Sequence, residues 1–204
     1  AWLGESLEQI AREKSGIFRR GRPAVIGHRE PAHSLLAHAQ ALDCRLQVLG
    51  REFDWEPAPN GWRWKGPEPP PLNLPAPSLR GRGQYDNAST VLMAVNCLSD
   101  RLPVSAGGLR QGLQGARLPG RFQVLPGDVT WVLDVAHNRQ AAESLGDNLK
   151  SLRCRGRTHA VLGMLGDKEP APVAGALAAL VDYWHLGQAA DPRALPASDL
   201  RRAL

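Results

Sequence analysis

The stretch WVLDVAHNRQAAESL, residues 131–145, joins an apolar run to a helical pattern through the short segment DVAHN. The apolar run at residues 131–133 is typical of a buried strand. Asn138 is a favourable N-cap, and the apolar residues after it recur on one face of a helix: Ala142, Leu145, Leu149 and Leu152. The stretch therefore predicts a strand, a tight turn and a helix, the repeating unit of an α/β fold.

Three polar side chains crowd the predicted turn. Asp134, His137 and Asn138 follow the end of the strand, and ligands of an open parallel sheet bind beyond the carboxyl ends of its strands. Asp134 is suited to accept hydrogen bonds from ribose hydroxyls, and His137 is suited to stack on a base. An alternative with at least equal support from spacing alone is that Asp134 and Asn138 only bond the amides of their own turn.

Strand–helix–strand patterns occur on both sides of a break near residue 120. The first half begins with a helix at 5–18, opened by a Ser6–Gln9 capping box. Its order of strand, helix and strand at 23–27, 31–42 and 44–50 predicts a parallel pair. After the break, a strand, helix, strand and second helix are predicted at 130–134, 139–152, 159–165 and 170–181.

A segment rich in Pro, Gly and Trp, residues 52–82, follows the first pattern. The pair Asn60-Gly61 is a hairpin signal, so we expect a small antiparallel excursion and then a Pro-rich loop. Helices are predicted at 84–98 and at about 105–115. The sequence LPGR then has the Pro-Gly break of an interdomain connection. We therefore predict one domain at 1–116, a linker at 117–122 and a second domain at 123–204.

Composition and charge narrow the functional classes. The net charge is +5, but the arginines are scattered, so an anionic small molecule explains the charge as well as nucleic acid does. No apolar run approaches the roughly 20 residues that span a bilayer, and no leader pattern opens the chain, so we expect a cytoplasmic protein without a membrane partner. Cys44, Cys97 and Cys154 form neither a metal motif nor a disulfide framework.

Lys14 lies on a predicted apolar stripe of the first helix. Leu7, Ile10, Lys14 and Ile17 recur at helical spacing, so we expect the lysine on the buried face. Burial would favour its neutral amine. The commoner alternative for such a lysine is that its ammonium reaches solvent from the edge of the core.

Two further polar residues are candidate ligand contacts. Arg121 follows the Pro-Gly break, where a guanidinium suits phosphate recognition or is only a solvated linker cation. Asn87, one helical turn after Gln84, faces a ligand or only caps its own helix. The sequence contains no GxxxxGK[ST] phosphate loop, no HExxH or cysteine metal motif, and no GxSxG nucleophile elbow.

Four segments resemble, in order and spacing, the motifs of the folylpolyglutamate synthase and dihydrofolate synthase family. SLEQIAREKSGIFRRGRPAVIG (6–27) is similar to its I-A-x-E-K-[AS]-G-I segment, and GQYDNASTVLMAVNCL (83–98) is similar to its H-Q-x-x-N-A helix. LPGRFQVL (118–125) resembles its P-G-R-x-[EQ] connection, and residues 131–145 resemble its D-G-A-H-N-P turn. This family belongs to the Mur-ligase-like ATP-dependent amide ligases.

The resemblance implies the tail of a Mur-ligase-type central ATPase domain, followed by a small Rossmann-like C-terminal domain. It also implies a monomeric ligase of folate biosynthesis that uses ATP and Mg²⁺ to phosphorylate a carboxylate of dihydropteroate or a reduced folate. The amine of L-glutamate then attacks the acyl phosphate. By the same resemblance, Lys14 is carbamylated and helps to hold the magnesium ion. The nucleotide would be contacted by Asn87, Arg121, Asp134, His137 and Asn138.

The chain departs from the family's motifs at three positions. Val135 replaces the glycine after the aspartate, Arg139 replaces the proline after the asparagine, and Gly83 replaces the histidine of the helix motif. The family's glycine-rich phosphate loop has no counterpart here, so we expect a fragment that is inactive alone. A non-catalytic nucleotide-binding fragment and a cell-wall Mur ligase relative stay open as alternatives. A nucleic-acid-binding role rests on the basic isoelectric point alone.

Overall fold

The computed structural model describes residues 6–67, 71–152, 154 and 156–204. The fold is α/β, as predicted, and the chain divides into two units with separate hydrophobic cores. Unit 1 consists of Ala1–Ser78 and Arg82–Ala116, and unit 2 of Leu79–Gly81 and Arg117–Leu204. The identification of residues 1–116 and 123–204 with particular domains of the ligase family stays a prediction.

The first helix of unit 1, α1 (Leu7–Lys14), begins with the predicted capping box. The Ser6 hydroxyl accepts a hydrogen bond from the Gln9 amide at 3.2 Å, and the Gln9 side-chain oxygen accepts one from the Ser6 amide at 3.3 Å. These bonds satisfy amides that the helix itself leaves without partners, which fixes the start of α1. A 3₁₀ turn, Ser15–Ile17, follows the helix.

The helix α2 (His33–Ala41) makes polar contacts near both ends of α1. The Glu8 carboxylate accepts hydrogen bonds from the amides of His33 and Ser34 at 3.0 and 2.7 Å. Hydrogen bonding from Ser34 lowers the pKa of Glu8 below its ordinary value. At the other end, the Oγ of the fully buried Ser15 lies 2.6 Å from Nδ1 of His38. The position of α1 is therefore set by polar contacts as well as by packing.

The predicted strand–helix–strand unit is confirmed. β1 (Pro23–Ile26) pairs in parallel with β2 (Arg45–Val48), and Ala24 lies opposite Leu46. The connecting helix is α2. The order in the chain and the parallel pairing agree because a crossover through a helix brings the chain back in the same direction.

A three-stranded antiparallel sheet follows, made of β3 (Asp54–Ala58), β4 (Gly61–Lys65) and β5 (Leu72–Leu74). The predicted hairpin is present, but Ala58 pairs with Gly61, so Pro59 and Asn60 form its loop. β5 lies where a Pro-rich loop was expected. It forms because Leu74 pairs with Trp62 and is buried, an interaction that the local sequence does not reveal.

The core of unit 1 lies between this sheet and α3 (Gly83–Asn96). Trp62 is fully buried, and its indole N–H donates to the Pro75 carbonyl at 2.8 Å. Trp55 donates to the Asp86 carboxylate of α3, also at 2.8 Å. Trp55 and Trp62 thus combine apolar burial with satisfied N–H groups, whereas the buried N–H of Trp64 has no hydrogen-bond partner among the described residues. The last helix of the unit is α4 (Ala106–Gly115).

Unit 2 has two pairs of strands. β6 (Gln123–Leu125) and β7 (Trp131–Leu133) are antiparallel, whereas β8 (His159–Leu162) and β9 (Tyr183–Leu186) are parallel. The second strand–helix–strand pattern, at 130–134, 139–152 and 159–165, does not form a hydrogen-bonded pair within the described residues: β7 pairs with β6, and the parallel pair is β8 and β9, joined through a helix. Strand patterns in a sequence do not specify which strands pair.

Three helices complete unit 2: α5 (Arg139–Ser151), α6 (Pro170–Leu177) and α7 (Ala197–Ala203). Ala142 of α5 is fully buried, and Leu145 and Leu149 pack against the same core, as the apolar face predicted. Their partners include Val173, Leu177 and Leu200. Among the described residues, no helix has the length and apolar character needed to cross a membrane.

The β3–β4 hairpin yields a stability prediction. Gly61 has φ +139°, and a Cβ there would overlap the carbonyl oxygen of Leu74. We expect Gly61→Ala to lower the free energy of unfolding by about 2 kcal/mol or more, because strain and overlap add. Urea unfolding followed by tryptophan fluorescence measures the change.

Gly112→Ala is the matched control. Gly112 lies inside α4, has no positive φ, and would meet no atom within 4 Å. Alanine there is expected to raise the free energy of unfolding by roughly 0.5–1 kcal/mol, since it restricts the unfolded chain more than glycine does. Equal effects of the two substitutions would contradict the interpretation of Gly61.

Candidate functional site

Two loops of unit 2 meet through the carboxylate of Asp134. This residue directly follows β7 and is half-buried. Its Oδ2 accepts a hydrogen bond from the Phe122 amide at 2.7 Å, and its Oδ1 accepts one from the Ala136 amide at 2.8 Å. The carboxylate therefore joins the connection that contains Arg121 to the turn that contains His137 and Asn138. Four of the six candidate site residues belong to these two loops.

The connection adopts an unusual backbone conformation where it meets the turn. Phe122 has φ +43°, a left-handed conformation that is uncommon for a non-glycine residue. Its side chain is buried, and its amide is the one that donates to Asp134. Gly120 has φ +70°, and a Cβ at that position would lie 2.9 Å from a methyl carbon of Val135. Burial and the charged hydrogen bond thus stabilise a strained segment.

The two alternatives for Asp134 are not exclusive. Both oxygens of Asp134 accept hydrogen bonds from backbone amides, and the bond from Ala136 is the bond within its own turn that one alternative predicts. Each oxygen of an ionised carboxylate has two acceptor sites, so each retains capacity for a ligand hydroxyl. Val135, which replaces the family's glycine, does not have a positive φ, so the turn accommodates its β-branched side chain.

His137 and Asn138 form the end of the turn and the start of α5. Nδ1 of His137 lies 2.9 Å from the Val135 carbonyl oxygen, which can only accept, so Nδ1 carries the proton. In the neutral tautomer with that proton, Nε2 of the exposed imidazole is an acceptor. Asn138 caps α5, since its Oδ1 accepts from the Ala141 amide at 2.9 Å. Its NH₂ group has no role in the cap and can donate to a ligand.

Arg121 extends from the same connection. Its side chain is exposed, and its guanidinium makes no ion pair with any residue in the described ranges 6–67, 71–152, 154 and 156–204. A guanidinium donates five hydrogen bonds in a planar fork that matches phosphate oxygens. The interpretation of Arg121 as a phosphate ligand stays a prediction, and its geometry is compatible with that role.

The other two candidate residues belong to unit 1. Asn87 is exposed one turn after the start of α3, and its NH₂ group donates to the Gln84 side-chain oxygen at 3.1 Å. This bond does not cap the helix, whose N-cap residue is Arg82, so the capping alternative is wrong. The Asn87 oxygen is not used by this bond, so the amide keeps an acceptor for a ligand.

The expected burial of Lys14 is wrong in this structure. The Lys14 side chain is 58% exposed, and its Nζ lies 2.9 Å from the Glu13 carboxylate. Leu7 and Ile17 of the same stripe are 71% and 77% exposed. The buried face of this segment carries Ala11 and Ser15 instead. Large apolar residues marked the stripe in the sequence, but the close approach of α2 is made through the small residues.

The described residues fit a magnesium ion only in part. Magnesium binds oxygen donors, and a lysine supplies one only after carbamylation. Glu13 is the neighbouring carboxylate. Within the part of the chain that the structure describes, no group of three or more His, Cys, Asp or Glu side chains is arranged to hold a metal ion.

The sequence analysis missed a cluster of charges after β8 and β9. Asp167 pairs with Lys168 at 2.7 Å, and Asp191 pairs with Arg193 at 3.2 Å. Hydrogen bonds from these cations lower the pKa values of both carboxylates, and the charge of Arg193 also acts on Asp167. The sequence contained a signal for this cluster. Parallel strands end at one edge of a sheet, so charged residues that follow two such strands lie close together.

The family model and two curated relatives that match this chain are glutamate ligases. The family description "Mur ligase, glutamate ligase domain" matches residues 120–204. The dihydrofolate synthase/folylpolyglutamate synthase of Escherichia coli K12 is 37% identical over 98% of this chain and 46% of its own length. The corresponding protein of Haemophilus influenzae is 35% identical over 90% of this chain and 45% of its own length. The chain spans about half the length of the curated relatives it matches.

Solved structures share the fold. Escherichia coli FolC in complex with DHPP and ADP superimposes with a TM-score of 0.89 at 36% identity, covering 100% of this chain and 48% of that chain. A bifunctional folylpolyglutamate synthase/dihydrofolate synthase with Mn, AMPPNP and L-glutamate bound has a TM-score of 0.88 at 38% identity, with the same coverage.

The contact between the connection and the turn can be tested at Gly120. We expect Gly120→Ala to lower the free energy of unfolding of unit 2 by about 1–2 kcal/mol, because alanine is strained at φ +70° and its Cβ would press on Val135. Amide hydrogen exchange at Phe122 should accelerate, since the bond to Asp134 depends on this contact.

Gly127→Ala serves as the control in a neighbouring loop. Gly127 has no positive φ, and its nearest contact to an added Cβ is an ordinary 3.4 Å. We expect little change in stability or in exchange at Phe122. If Gly120→Ala is equally neutral, the two loops are not held together as described.

Proposed function

The chain belongs to the folylpolyglutamate synthase and dihydrofolate synthase family, and on this premise we propose that it is the nucleotide-binding part of an ATP-dependent ligase. The reaction of that ligase joins L-glutamate to dihydropteroate, to the γ-carboxylate of a reduced folate, or to both. The observation that carries the proposal is the union of the PGR connection with the DVAHN turn through Asp134. The Asp134 carboxylate thereby joins the loop that carries the Arg121 guanidinium to the loop that carries the His137 imidazole and the Asn138 amide.

The groups in these loops match the parts of a nucleotide. The remaining acceptor sites of Asp134 suit ribose hydroxyls, and the exposed imidazole of His137 offers a face for the adenine base. The free guanidinium of Arg121 suits the phosphates. The amide of Asn138 stands at the N-terminus of α5, where negative charge is favoured. In unit 1, the Asn87 amide is a further nucleotide contact in this proposal.

The proposed chemistry has two balanced steps. A substrate carboxylate oxygen attacks the γ-phosphorus of ATP, which forms an acyl phosphate and releases ADP. The amine of L-glutamate then attacks the acyl carbon, the amide bond forms, inorganic phosphate leaves and the amine loses a proton. The residues described here would bind and orient the nucleotide, and positioning and charge neutralisation supply most of the catalysis of phosphoryl transfer.

The relatives support the ligands of this proposal. Their structures contain ADP, AMPPNP, Mn and L-glutamate, which favours ATP and a divalent cation for the whole enzyme. We assign Mg²⁺ as that cation because it accompanies nucleotide phosphates and prefers oxygen donors. The proposal includes a monomeric, cytoplasmic enzyme that acts on small molecules and binds neither nucleic acid nor a membrane.

Nucleotide binding by the 204-residue chain tests the proposal. We expect ADP to bind, and Arg121→Ala and His137→Ala each to raise its dissociation constant roughly tenfold, about the loss of one hydrogen bond to a charged group or of one stacking contact. Both side chains are exposed, so the melting temperature should stay unchanged. Calorimetric titration with ADP and thermal unfolding are the measurements.

Arg201→Ala and His33→Ala provide matched controls. Both residues are exposed and lie outside the two loops, in α7 and α2. They should leave ADP affinity unchanged. If ADP binding is as insensitive to Arg121→Ala and His137→Ala as to the controls, the nucleotide does not bind at these loops.

The role of Lys14 is tested separately by its chemistry. In the full-length enzyme we expect a carbamate on Lys14 when bicarbonate, Mg²⁺ and ATP are present together, because a cation that prefers anionic oxygen donors stabilises the modified form. Carbon-13 NMR with labelled bicarbonate detects the carbamate. The signal must vanish in Lys14→Arg and persist in Lys150→Arg, the control at an exposed lysine of α5. A spectrum identical in wild type and Lys14→Arg would refute the assignment.

A further inference from the structure

One face of the β8–β9 pair carries an unusual set of exposed side chains. His159 and Val161 of β8 alternate with Leu162 and other residues that face the core, and Tyr183 and His185 do the same on β9. Val161 is 72% exposed, and both histidines are exposed. The set belongs to neither of the two loops of the candidate nucleotide site, and the proposed function does not use it.

The two histidines meet edge to edge. Nδ1 of His159 lies 2.9 Å from Nε2 of His185. The rings are almost parallel, at 12°, and their centroids are 5.3 Å apart. A nitrogen–nitrogen distance of 2.9 Å is shorter than the contact between stacked rings, so the rings lie side by side and share one proton between the two nitrogens.

Neighbouring groups fix the position of His159. The Tyr183 ring stacks on it with centroids 4.8 Å apart and an angle of 23°. Arg157 covers the Tyr183 ring at 5.4 Å and donates to its hydroxyl. Both histidines also stand on hydrogen-bonded strands rather than on loops. The pair is therefore held by a rigid framework, which lowers the entropic cost of binding a ligand between the two nitrogens.

The separation of the nitrogens matches two neighbouring ligands of a metal ion. Bonds of about 2.0–2.1 Å at a right angle place two imidazole nitrogens about 2.8–3.0 Å apart, whereas a tetrahedral angle places them about 3.3–3.4 Å apart. The observed 2.9 Å is the length of the hydrogen bond itself, and it shows that the paired strands let the two nitrogens approach as closely as neighbouring ligands of a square-planar or octahedral ion do. That geometry, with nitrogen donors, is typical of Cu²⁺ and Ni²⁺.

We propose that His159 and His185 form a binding site for a divalent transition-metal ion, with Cu²⁺ and Ni²⁺ bound more tightly than Zn²⁺. When the metal ion binds, the proton between the rings moves to the outer nitrogen of the ring that donated it, so each imidazole stays neutral and supplies one unprotonated nitrogen, and water completes the coordination. The strands keep the two rings adjacent, and a small rotation of each exposed ring aims both nitrogens at one metal ion without disturbing the core. In the described part of the chain no third His, Cys, Asp or Glu joins the pair, so the site has two protein ligands.

Nickel titration of the untagged 204-residue chain tests the site. The exposed thiol of Cys154 is first replaced by serine to remove a competing ligand. We expect one equivalent of Ni²⁺ to bind by calorimetry, and the paramagnetic ion to broaden the imidazole proton signals of His159 and His185 before those of other histidines. Zn²⁺ should bind at least several-fold more weakly, and Mg²⁺ should not compete.

Variants decide whether the two histidines act together. His159→Ala and His185→Ala should each weaken Ni²⁺ binding about tenfold or more, and the double variant should bind no more weakly than the weaker single variant. His159→Gln gives the same loss with a side chain that preserves the surface. His28→Ala, at an exposed histidine of unit 1, is the control and should bind as the parent does.

The proposal is overturned if the parent binds no Ni²⁺, if broadening begins at other histidines, or if either single variant binds as tightly as His28→Ala. The broadening experiment uses the parent protein alone, so a variant that fails to fold does not remove the test. None of these measurements depends on nucleotide binding or on ligase activity, so the outcome is independent of the proposed function.

Discussion

The Asp134 carboxylate is the interaction on which the candidate site depends. It accepts amides from two loops that are separate in sequence, and it stabilises the left-handed backbone of Phe122. A neutral side chain would make weaker bonds to both amides. The same carboxylate thereby sets the direction in which Arg121 leaves the connection and the place at which α5 begins after Asn138. Its structural role and its proposed ligand role share one geometry.

Unit 1 illustrates how polar contacts orient elements that apolar packing brings together. Arg29 makes two bonds to the Asp54 carboxylate, at 2.6 and 3.1 Å, and lies 3.5 Å from Asp86. The bonds from Arg29 lower the pKa of Asp54. Because these groups remain partly exposed to solvent, each pair adds little stability. Their contribution is directional: they relate β3 and α3 to the loop after β1, while the tryptophan core provides most of the stability.

Lys14 and the histidine pair show opposite relations between pattern and structure. The apolar stripe around Lys14 is clear in the sequence, yet the structure exposes it, since α1 packs through the small residues Ala11 and Ser15. His159 and His185 are 26 residues apart and form no motif, yet parallel pairing of their strands brings the two rings together. Periodicity reports which residues share a face, and only packing decides what that face contacts.

The sequence by itself determined the α/β class, the capping box, the first parallel pair and the turn that holds Asp134, His137 and Asn138. These features depend on contacts between residues close in the chain, or on the strong rule that links a helical crossover to parallel strands. The tertiary structure alone decided the partner of β7, the presence of β5, the exposure of Lys14 and the bond between Asp134 and Phe122. Each of these depends on segments distant in sequence, and their approach is set by the packing of whole elements, which local patterns do not encode.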